Sequence, residues 1–274
     1  MAVETKNAAL MCFMSSPGDC ALHFGLSQAA HVIRCSLVIP AYNEARLLPR
    51  LLDSVDAARA RYKGGAGAIQ VIVADNASTD ATAAIAAARG CEVARVEKRV
   101  IAAARNGGAR IARGEALCFI DADSSIHPET FNAIDEALAR SGVVGGATGA
   151  RPERWSVGIA CTWMVMIPVV VLTGMDTGVV FCRRTDFEAL GGYDEERELA
   201  EDVAFMWALK RHGARRGQKL ARLTQVKAVA SMRKFDRHGD WHYFTTVIPQ
   251  GVPAVLRRSA RTKLAQRYWY TDDR

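Results

Sequence analysis

The sequence lacks the cysteine and glycine patterns that mark several common classes of protein. Its seven cysteines are scattered and never spaced C-x-x-C, which argues against a zinc cage and against a disulfide framework. No G-x-G-x-x-G fingerprint follows the first predicted strand and no P-loop occurs, which argues against a dehydrogenase and an NTPase of those types. Internal repeats, low-complexity tracts and linkers are also missing. We therefore expect one continuous globular domain in a reducing, cytoplasmic setting.

The composition is that of a soluble globular protein with a sizeable core. The chain has 274 residues, of which 50% are hydrophobic and 24% are charged, and its mean hydropathy is close to zero. The net charge of +7 is unevenly placed, because residues 210–274 hold 16 of the 36 Lys and Arg but only 4 of the 29 Asp and Glu. Such a segment suits a nucleic acid, an anionic membrane surface or a diphosphate, and a solvated basic face is an equal alternative.

Short apolar runs alternate with helical patterns along the middle of the chain. Strands are predicted at 32–39, 69–74, 92–96, 116–120, 143–149 and 179–184. Helices are predicted at 44–62, 79–89, 101–113, 128–140 and 201–213. This alternation predicts an α/β fold with a mostly parallel, Rossmann-like sheet flanked by helices. We expect residues 1–31 to form a flexible extension without a secretory leader and residues 259–274 to form a basic tail.

One apolar run, from Trp155 to Met175, is long enough to cross a bilayer, with 21 uncharged residues. It contains Gly158 and Pro168, which weaken a simple spanning helix. We predict that it does not span a membrane and that it forms a buried helix. The alternative is an in-plane segment that touches the membrane or a lipid-linked acceptor.

Three polar clusters follow predicted strands, at Pro40–Glu44, Asp75–Asp80 and Asp121–Asp123. Open α/β sheets bind ligands outside the carboxyl ends of their strands, so three such clusters indicate a site. The Asp-x-Asp turn could face one hard cation that keeps positions open for phosphate oxygens. Ordinary turn chemistry is the alternative for each cluster taken alone.

The ordered motifs PAYNE, ADNASTD, AAARNGGARIARGEALCFIDAD, GGYDE and AEDVAF resemble the family 2 glycosyltransferases of GT-A fold, between about Ile33 and Gly213. The resemblance implies transfer of a sugar from a UDP, GDP or dTDP donor to an acceptor hydroxyl, with inversion and with bound Mg²⁺ or Mn²⁺. The acceptor would be a glycan, a lipid-linked compound or a small molecule. The nucleotide half would be 32–124 and the acceptor half 125–258.

The same resemblance implies roles for individual residues. Asp123 and Asp121 would hold the metal, with Asp121 also reaching the ribose, and Asp202, preceded by Glu201, would be the catalytic base. The residues implied in nucleotide-sugar binding are Pro40, Ala41, Tyr42, Glu44, Asp75, Arg105, Asn106, Asp121 and Ala122. The second motif has Ala74-Asp75 where many relatives have Asp-Asp, which leaves the base of the nucleotide open. The Gln-x-x-Arg-Trp motif of processive synthases is absent, so a single transfer is expected.

Further expectations concern the C-terminal segment, alternative functions and the location of the protein. His238 or His242 would complete the metal site from a loop carrying Arg233 and Lys234. A catalytically inactive sugar-nucleotide or glycan binding protein of the same fold is the main alternative. Nucleic-acid binding is not expected, since the basic segment shows no recognised binding motif. The location expected is cytoplasmic, with peripheral attachment to an anionic membrane face compatible with the basic C-terminal region.

Overall fold

A mixed seven-stranded β-sheet forms the centre of the protein, in agreement with the predicted α/β class. The computed structural model describes residues 32–197 and 200–249, so the predicted extension at 1–31 and the tail at 259–274 lie outside the described residues. The strands are β1 (Cys35–Ala41), β2 (Ile69–Asp75), β3 (Glu92–Arg95), β4 (Ala116–Phe119), β5 (Val143–Ala147), β6 (Ala150–Pro152), β7 (Val180–Arg183), β8 (Lys219–Arg222) and β9 (Ala228–Ala230). The α-helices are α1 (Leu48–Arg61), α2 (Thr82–Ala88), α3 (Ile101–Arg110), α4 (Thr130–Leu138), α5 (Val157–Thr173), α6 (Arg184–Leu190), α7 (Glu201–Ala214) and α8 (Arg233–His238).

The order of strands in the main sheet is β3-β2-β1-β4-β7-β5-β8. Neighbours pair in parallel except at β7, which runs antiparallel to both β4 and β5. Strands β6 and β9 form a separate two-stranded parallel sheet. The sheet is therefore mostly parallel, as expected, with one reversed strand whose direction the sequence pattern did not reveal.

The sheet has a hydrophobic layer on each face. Residues of α1 and α4 contribute to one layer, with Leu51 and Phe131 among them, and residues of α3 and α7 contribute to the other. The α3 helix approaches β1 closely at Gly108, where an added Cβ would clash with the side chain of Val38. This approach, which the absence of a side chain permits, holds α3 tightly against the sheet.

The structure corrects the expectation of burial for the apolar run. It forms a helix, α5, but only Gly158, Ile159 and Thr162 of that helix are buried. Six consecutive residues, 164–169, are exposed. Nowhere in 32–197 and 200–249 does a helix combine the length and the apolar character that a membrane crossing requires.

The C-terminal third holds elements that the sequence pattern did not predict. These are α6, β8, β9 and α8. The structure corrects the loop expected around His238, because Arg233–His238 forms α8 and the turn follows at Gly239, whose φ is +84°. Beyond it, Tyr243–Val247 forms a short π-helical turn. This segment packs on α5, where Ile159, Met232 and Phe235 form a small buried cluster.

Candidate active site

The three polar clusters lie along one edge of the sheet, as the strand pattern predicted. The β1–β2 register places Ala41 opposite Asp75, and the β1–β4 register places Val38 opposite Phe119, two residues before Asp121. The backbone N–H of Asn76 donates to the carbonyl of Ala41 at 2.8 Å. The turns after β1, β2 and β4 are therefore neighbours, and their side chains can act on one ligand.

The first two turns are fixed to each other by hydrogen bonds. The backbone N–H of Asn43 donates to Ser78 Oγ at 3.0 Å, and Asn43 Oδ1 accepts from the backbone N–H of Thr79 at 2.8 Å. The backbone N–H of Glu44 donates to Thr82 Oγ1 at 2.8 Å. These bonds pre-organise the wall of the site that the resemblance links to the nucleoside.

Backbone strain is concentrated at this edge. Within the described residues, the non-glycine residues with positive φ are Asn43, Ala77 and Ala200, at +51°, +59° and +54°. Asn43 and Ala77 lie in the first two turns, and Ala200 directly precedes Glu201. Such conformations cost about 1–3 kcal/mol each and cluster at functional sites.

The residues expected at the nucleoside pocket occupy this wall. The guanidinium of Arg99 lies 4.1 Å from the centroid of the Tyr42 ring, a cation–π contact that holds the ring in place. Asp75 is buried, and its Oδ1 accepts from the backbone N–H of Ser78 at 3.2 Å. Pro40 is buried within β1 and Ala122 is buried in the turn after β4.

Asp123 lies in a concentration of charge. Burial raises the pKa of its carboxyl, the Asp121 and Glu44 carboxylates raise it further, and Arg233 opposes the shift. Arg233, at the start of α8, donates to both oxygens of Glu44 at 3.1 and 3.0 Å and to Asp123 Oδ2 at 3.1 Å. Three carboxylates thus share this corner of the site with the Arg233 guanidinium.

Arg105 of α3 links two acidic motifs. Its Nη1 donates to Glu201 Oε1 at 2.7 Å and its Nη2 donates to Asp121 Oδ1 at 3.0 Å. The guanidinium also lies 5.1 Å from the centroid of the Tyr193 ring. Burial disfavours the cation, yet the surrounding groups, Asp121 foremost, raise the pKa of Arg105 above its ordinary value. The Asp-x-Asp turn and the start of α7 are therefore held together by one buried cation.

Asp202 is half-buried beside this link. Its Oδ1 accepts from the backbone N–H of Val203 at 2.8 Å, as is common for an acid in the first turn of a helix. Its charge acts on Arg105 and on Tyr243, whose pKa is raised by burial and further by Asp202. Glu201, in contrast, is buried against Arg105, and burial raises the pKa of its carboxyl.

The Asn106 side chain is hydrogen-bonded to the segment around Tyr193. Its Nδ2 donates to the Tyr193 carbonyl and to Glu195 Oε1, both at 2.9 Å, and its Oδ1 accepts from the backbone N–H of Tyr193 at 2.9 Å. Gly192 fits beside it with a φ of +78°, and an added Cβ there would lie 2.6 Å from Asn106 Oδ1. Asn106 therefore ties the Gly191–Glu195 segment to α3.

His238 and His242 belong to an aromatic group on the α8 side. The His242 ring is buried against Phe235 and Tyr243, and its centroid lies 5.9 Å from that of His238. His242 Nδ1 lies 2.7 Å from the Gly239 carbonyl, and burial lowers the pKa of its imidazole. Lys234 acts on both His242 and Asp123, so α8 reaches the edge of the site.

Two residues at the site were missed by sequence reasoning. Arg50 of α1 donates from Nη2 to the Asp123 carbonyl at 2.9 Å, and Tyr243 lies within the electrostatic reach of Asp202. Arg50 lies outside every motif, on the first turn of α1, and the apolar spacing of that helix predicts its buried face and gives no sign of a polar role. Tyr243 follows a segment that had no assigned structure.

The sequence model of Glycosyl transferase family 2 matches residues 36–163. This segment is similar to the family 2 glycosyl transferases. The match begins within β1 and ends within α5, so it includes the Asp121–Asp123 turn, while Asp202 lies beyond it. The match agrees with the resemblance that the motifs indicated.

Curated relatives match the same part of the chain. A validoxylamine A glucosyltransferase of Streptomyces hygroscopicus subsp. jinggangensis is 35% identical over 118 residues, which is 40% of this chain and 26% of that protein. A dolichyl-phosphate beta-glucosyltransferase of Drosophila melanogaster is 31% identical over 116 residues, which is 39% of this chain and 36% of that protein. The matched segment thus spans about a quarter to a third of the length of these relatives.

Solved structures share the fold of this protein. TarS 1–349 of S. aureus in complex with UDP aligns with a TM-score of 0.56 and 20% identity, over 72% of this chain and 60% of that chain. The mannosyltransferase PcManGT of Pyrobaculum calidifontis, in complex with GDP-Man and Mn²⁺, aligns with a TM-score of 0.54 and 22% identity, over 72% of this chain and 56% of that chain. The fold is therefore that of GT-A transferases, as expected.

Proposed function

We propose that this protein is an inverting, metal-dependent glycosyltransferase that moves one sugar from a nucleoside diphosphate donor to an acceptor hydroxyl. The observation that carries the proposal is the double contact of Arg105 with Asp121 and Glu201. It brings the Asp-x-Asp turn beside the Glu201–Asp202 pair, so that a donor and a base can meet at one sugar carbon. The names of the curated relatives, which are glucosyltransferases, support the same reaction class.

The donor nucleoside is proposed to bind along the turns after β1 and β2. Ala41, Tyr42 and Glu44 would line its pocket and Asp75 would meet the base. The interlocked turns and the Tyr42–Arg99 contact support this role, since a pre-organised wall loses little entropy when a ligand binds. UDP and GDP-Man occupy the related folds of TarS and PcManGT, and UDP, GDP and dTDP all remain candidates here.

The donor diphosphate is proposed to be held with Mg²⁺ or Mn²⁺ at Asp121 and Asp123. Carboxylates, with water and phosphate oxygens completing the shell, are the ligands that Mg²⁺ prefers. Burial first, and then the negative charge of Asp121 and Glu44, raises the pKa of Asp123, and a divalent cation would offset that negative charge. Within 32–197 and 200–249 no cluster of three or more His, Cys, Asp or Glu is placed to bind a metal, so the donor would supply further ligands. The bound ion would neutralise charge on the leaving diphosphate.

Asp202 is proposed to accept the proton of the attacking hydroxyl. It is half-buried and lies beside the Arg105 link, whereas the Glu201 carboxylate is already hydrogen-bonded to Arg105. Glu201 and Arg105 would then be positioning residues that fix the start of α7 against the donor turn. Attack from the face opposite the diphosphate gives inversion, since the base and the leaving group stand on different sides of the sugar.

Calorimetry with UDP, GDP and dTDP, each with and without Mn²⁺, tests the donor site. We expect one nucleotide to bind in a Mn²⁺-dependent manner and Asp123→Ala to abolish that binding. Asp53→Ala is the matched control, because it removes an exposed carboxylate of α1 that forms an ion pair with Arg89. Undiminished Mn²⁺-dependent binding by Asp123→Ala would overturn the metal assignment.

Product formation distinguishes an active enzyme from an inactive protein that only binds a glycan or a nucleotide sugar. With the nucleotide identified, the corresponding nucleotide sugars are supplied together with glycan, lipid-linked and small-molecule acceptors. Release of the nucleoside diphosphate together with a glycosylated acceptor supports the enzyme. Binding without release from any donor and acceptor pair would support the inactive binding protein.

The proposed location is the cytoplasm, in keeping with free thiols at Cys35, Cys91, Cys118, Cys161 and Cys182.

A further inference from the structure

The α5 helix carries a large apolar surface that the described protein leaves uncovered. Nine large apolar side chains between Trp155 and Leu172 are exposed, out of fifteen such side chains in the described residues. Leu172 is 83% exposed and Met164 is 71% exposed. Surface patches of this extent on soluble proteins mark sites of interaction.

The exposure surrounds the helix instead of following one face. Residues 164–169 are all exposed, and six consecutive residues cover more than one full turn of 3.6 residues. Within the described part of the chain, every side of this turn is therefore at least partly exposed. A second protein of ordinary shape would cover one face of the turn, whereas the acyl chains of a lipid layer can cover all of them.

Both ends of α5 are tied to the body of the protein. At the first end, Gly158 packs so closely on the backbone of Asp240 that an added Cβ would lie 2.5 Å from the Asp240 carbonyl oxygen. At the other end, the ammonium of Lys210 donates to the Thr173 carbonyl. The 17 residues of α5 are about 25 Å long, less than the roughly 30 Å of a hydrocarbon core. The length of α5 and its two anchored ends therefore do not suit a crossing of the bilayer.

Tryptophan and basic residues flank α5 at both ends. Trp155 and Trp163 form an edge-to-face pair at its start, 6.0 Å between centroids, next to Arg154. At its end, the Lys210 ammonium lies 5.2 Å from the centroid of the exposed Trp207 ring. Tryptophan rings and the long stems of basic side chains are favoured at the boundary between acyl chains and headgroups.

We propose that α5 binds the surface of an anionic lipid bilayer and lies in its plane, with the apolar side chains of 164–172 among the acyl chains. Charge complementarity supports an anionic surface, since residues 210–274 carry 16 basic and 4 acidic residues. The proposal rests on α5 and its flanking residues, and it is independent of the proposed enzymatic activity.

Co-sedimentation of the full chain with lipid vesicles tests the proposal. We expect binding to phosphatidylcholine vesicles that contain phosphatidylglycerol, and weaker binding to phosphatidylcholine alone. Leu172→Glu and Val165→Glu place a charge at exposed positions, and each should weaken partitioning by about 100-fold, because a carboxylate within the acyl region is costly. Ile111→Glu is the matched control, since it places the same charge on an exposed apolar residue beyond the end of α3 and should bind like the wild type.

Brominated lipids test the depth of the helix. They should quench tryptophan fluorescence of the bound protein, and Trp155→Phe should reduce that quenching. Failure of the wild type to bind vesicles, or equal binding by Leu172→Glu, would overturn the proposal. A dimer without vesicle binding that Leu172→Glu converts to a monomer would assign α5 to contact with a second copy instead. Nucleotide binding in lipid-free solution provides the separate check on the enzyme proposal.

Discussion

Arg105 Nη1 lies 2.7 Å from Glu201 Oε1, although 96 residues separate the two in the chain. Both side chains are almost fully removed from solvent, with 8% and 10% of their surfaces exposed. The pair joins α3, which lies within the proposed nucleotide-binding half, to the helix that carries the proposed base. It is therefore the contact on which the geometry of the whole candidate site depends.

Removing the cation should destabilise the protein. Arg105→Met leaves the buried Glu201 carboxylate without its partner, and we expect a loss of about 3 kcal/mol in the free energy of unfolding. Denaturant unfolding measures the loss. Arg110→Met, at the exposed end of the same helix, should change stability by less than about 0.5 kcal/mol. Equal losses in the free energy of unfolding for the two substitutions would show that the Arg105–Glu201 pair does not contribute more to stability than an exposed arginine.

The loss caused by Arg105→Met should depend on pH. Burial raises the pKa of Glu201 above 4.5 in the native protein, and Arg105 opposes that shift, so Arg105→Met raises the pKa further. A carboxyl whose pKa is raised on folding favours the native state when protonated and loses that contribution as pH rises through its native pKa. The deficit of Arg105→Met should thus be small at acid pH and grow toward neutral pH. Adding Glu201→Gln should flatten this dependence, and a deficit that is constant with pH would contradict it.

Asp202→Asn should separate chemistry from binding. Asparagine keeps the size of the side chain and an acceptor for the Val203 N–H but cannot take up the acceptor's proton. We expect turnover to fall by about two to four orders of magnitude while the affinity for the nucleotide, measured by calorimetry, stays unchanged. Wild-type turnover in this variant would remove Asp202 from the mechanism.

Asn106→Ala should loosen the Gly191–Glu195 segment without weakening nucleotide binding. The substitution removes hydrogen bonds to the backbone of Tyr193 and to Glu195, and about 2 kcal/mol of stability should be lost. Hydrogen exchange should accelerate at the amide of Tyr193. Asn132→Ala is the matched control, since Asn132 makes comparable hydrogen bonds to Lys63, Arg61 and Glu129, outside the Gly191–Glu195 segment. A selective loss of nucleotide affinity in Asn106→Ala would instead support the original expectation of a diphosphate contact.

The central elements could be predicted because their sequences are distinctive. Strands β1 and β2 are short apolar runs followed by turn residues, and they form where expected within three residues. The reversed direction of β7 could not be predicted, since a buried strand has the same composition in either direction. The α8 sequence RKFDRH has one apolar residue in six positions, too few to show a helical period.

The candidate site could be predicted where a residue belongs to a motif, whether at a strand end or, as for Arg105 and Glu201, on a helix. Asp121, Asp123 and Asp75 were found in this way. The Arg233 contacts with Glu44 and Asp123 depend on the tertiary packing of α8, which no local pattern encodes. The burial of α5 was predicted wrongly, because an apolar sequence does not show whether the rest of the protein or another apolar environment covers it.

The antiparallel β7 strand shows that the folded sheet extends beyond the region of sequence similarity. The family match ends at residue 163, yet β7 begins at Val180 and lies between β4 and β5 in the sheet. A protein truncated at residue 163 would leave the backbone groups of Phe119 and Ala147 without their partner strand. Exposed edges of this kind lead to aggregation, so such a fragment should be insoluble although it contains the entire matched region. A transferable unit of this fold must therefore include β7.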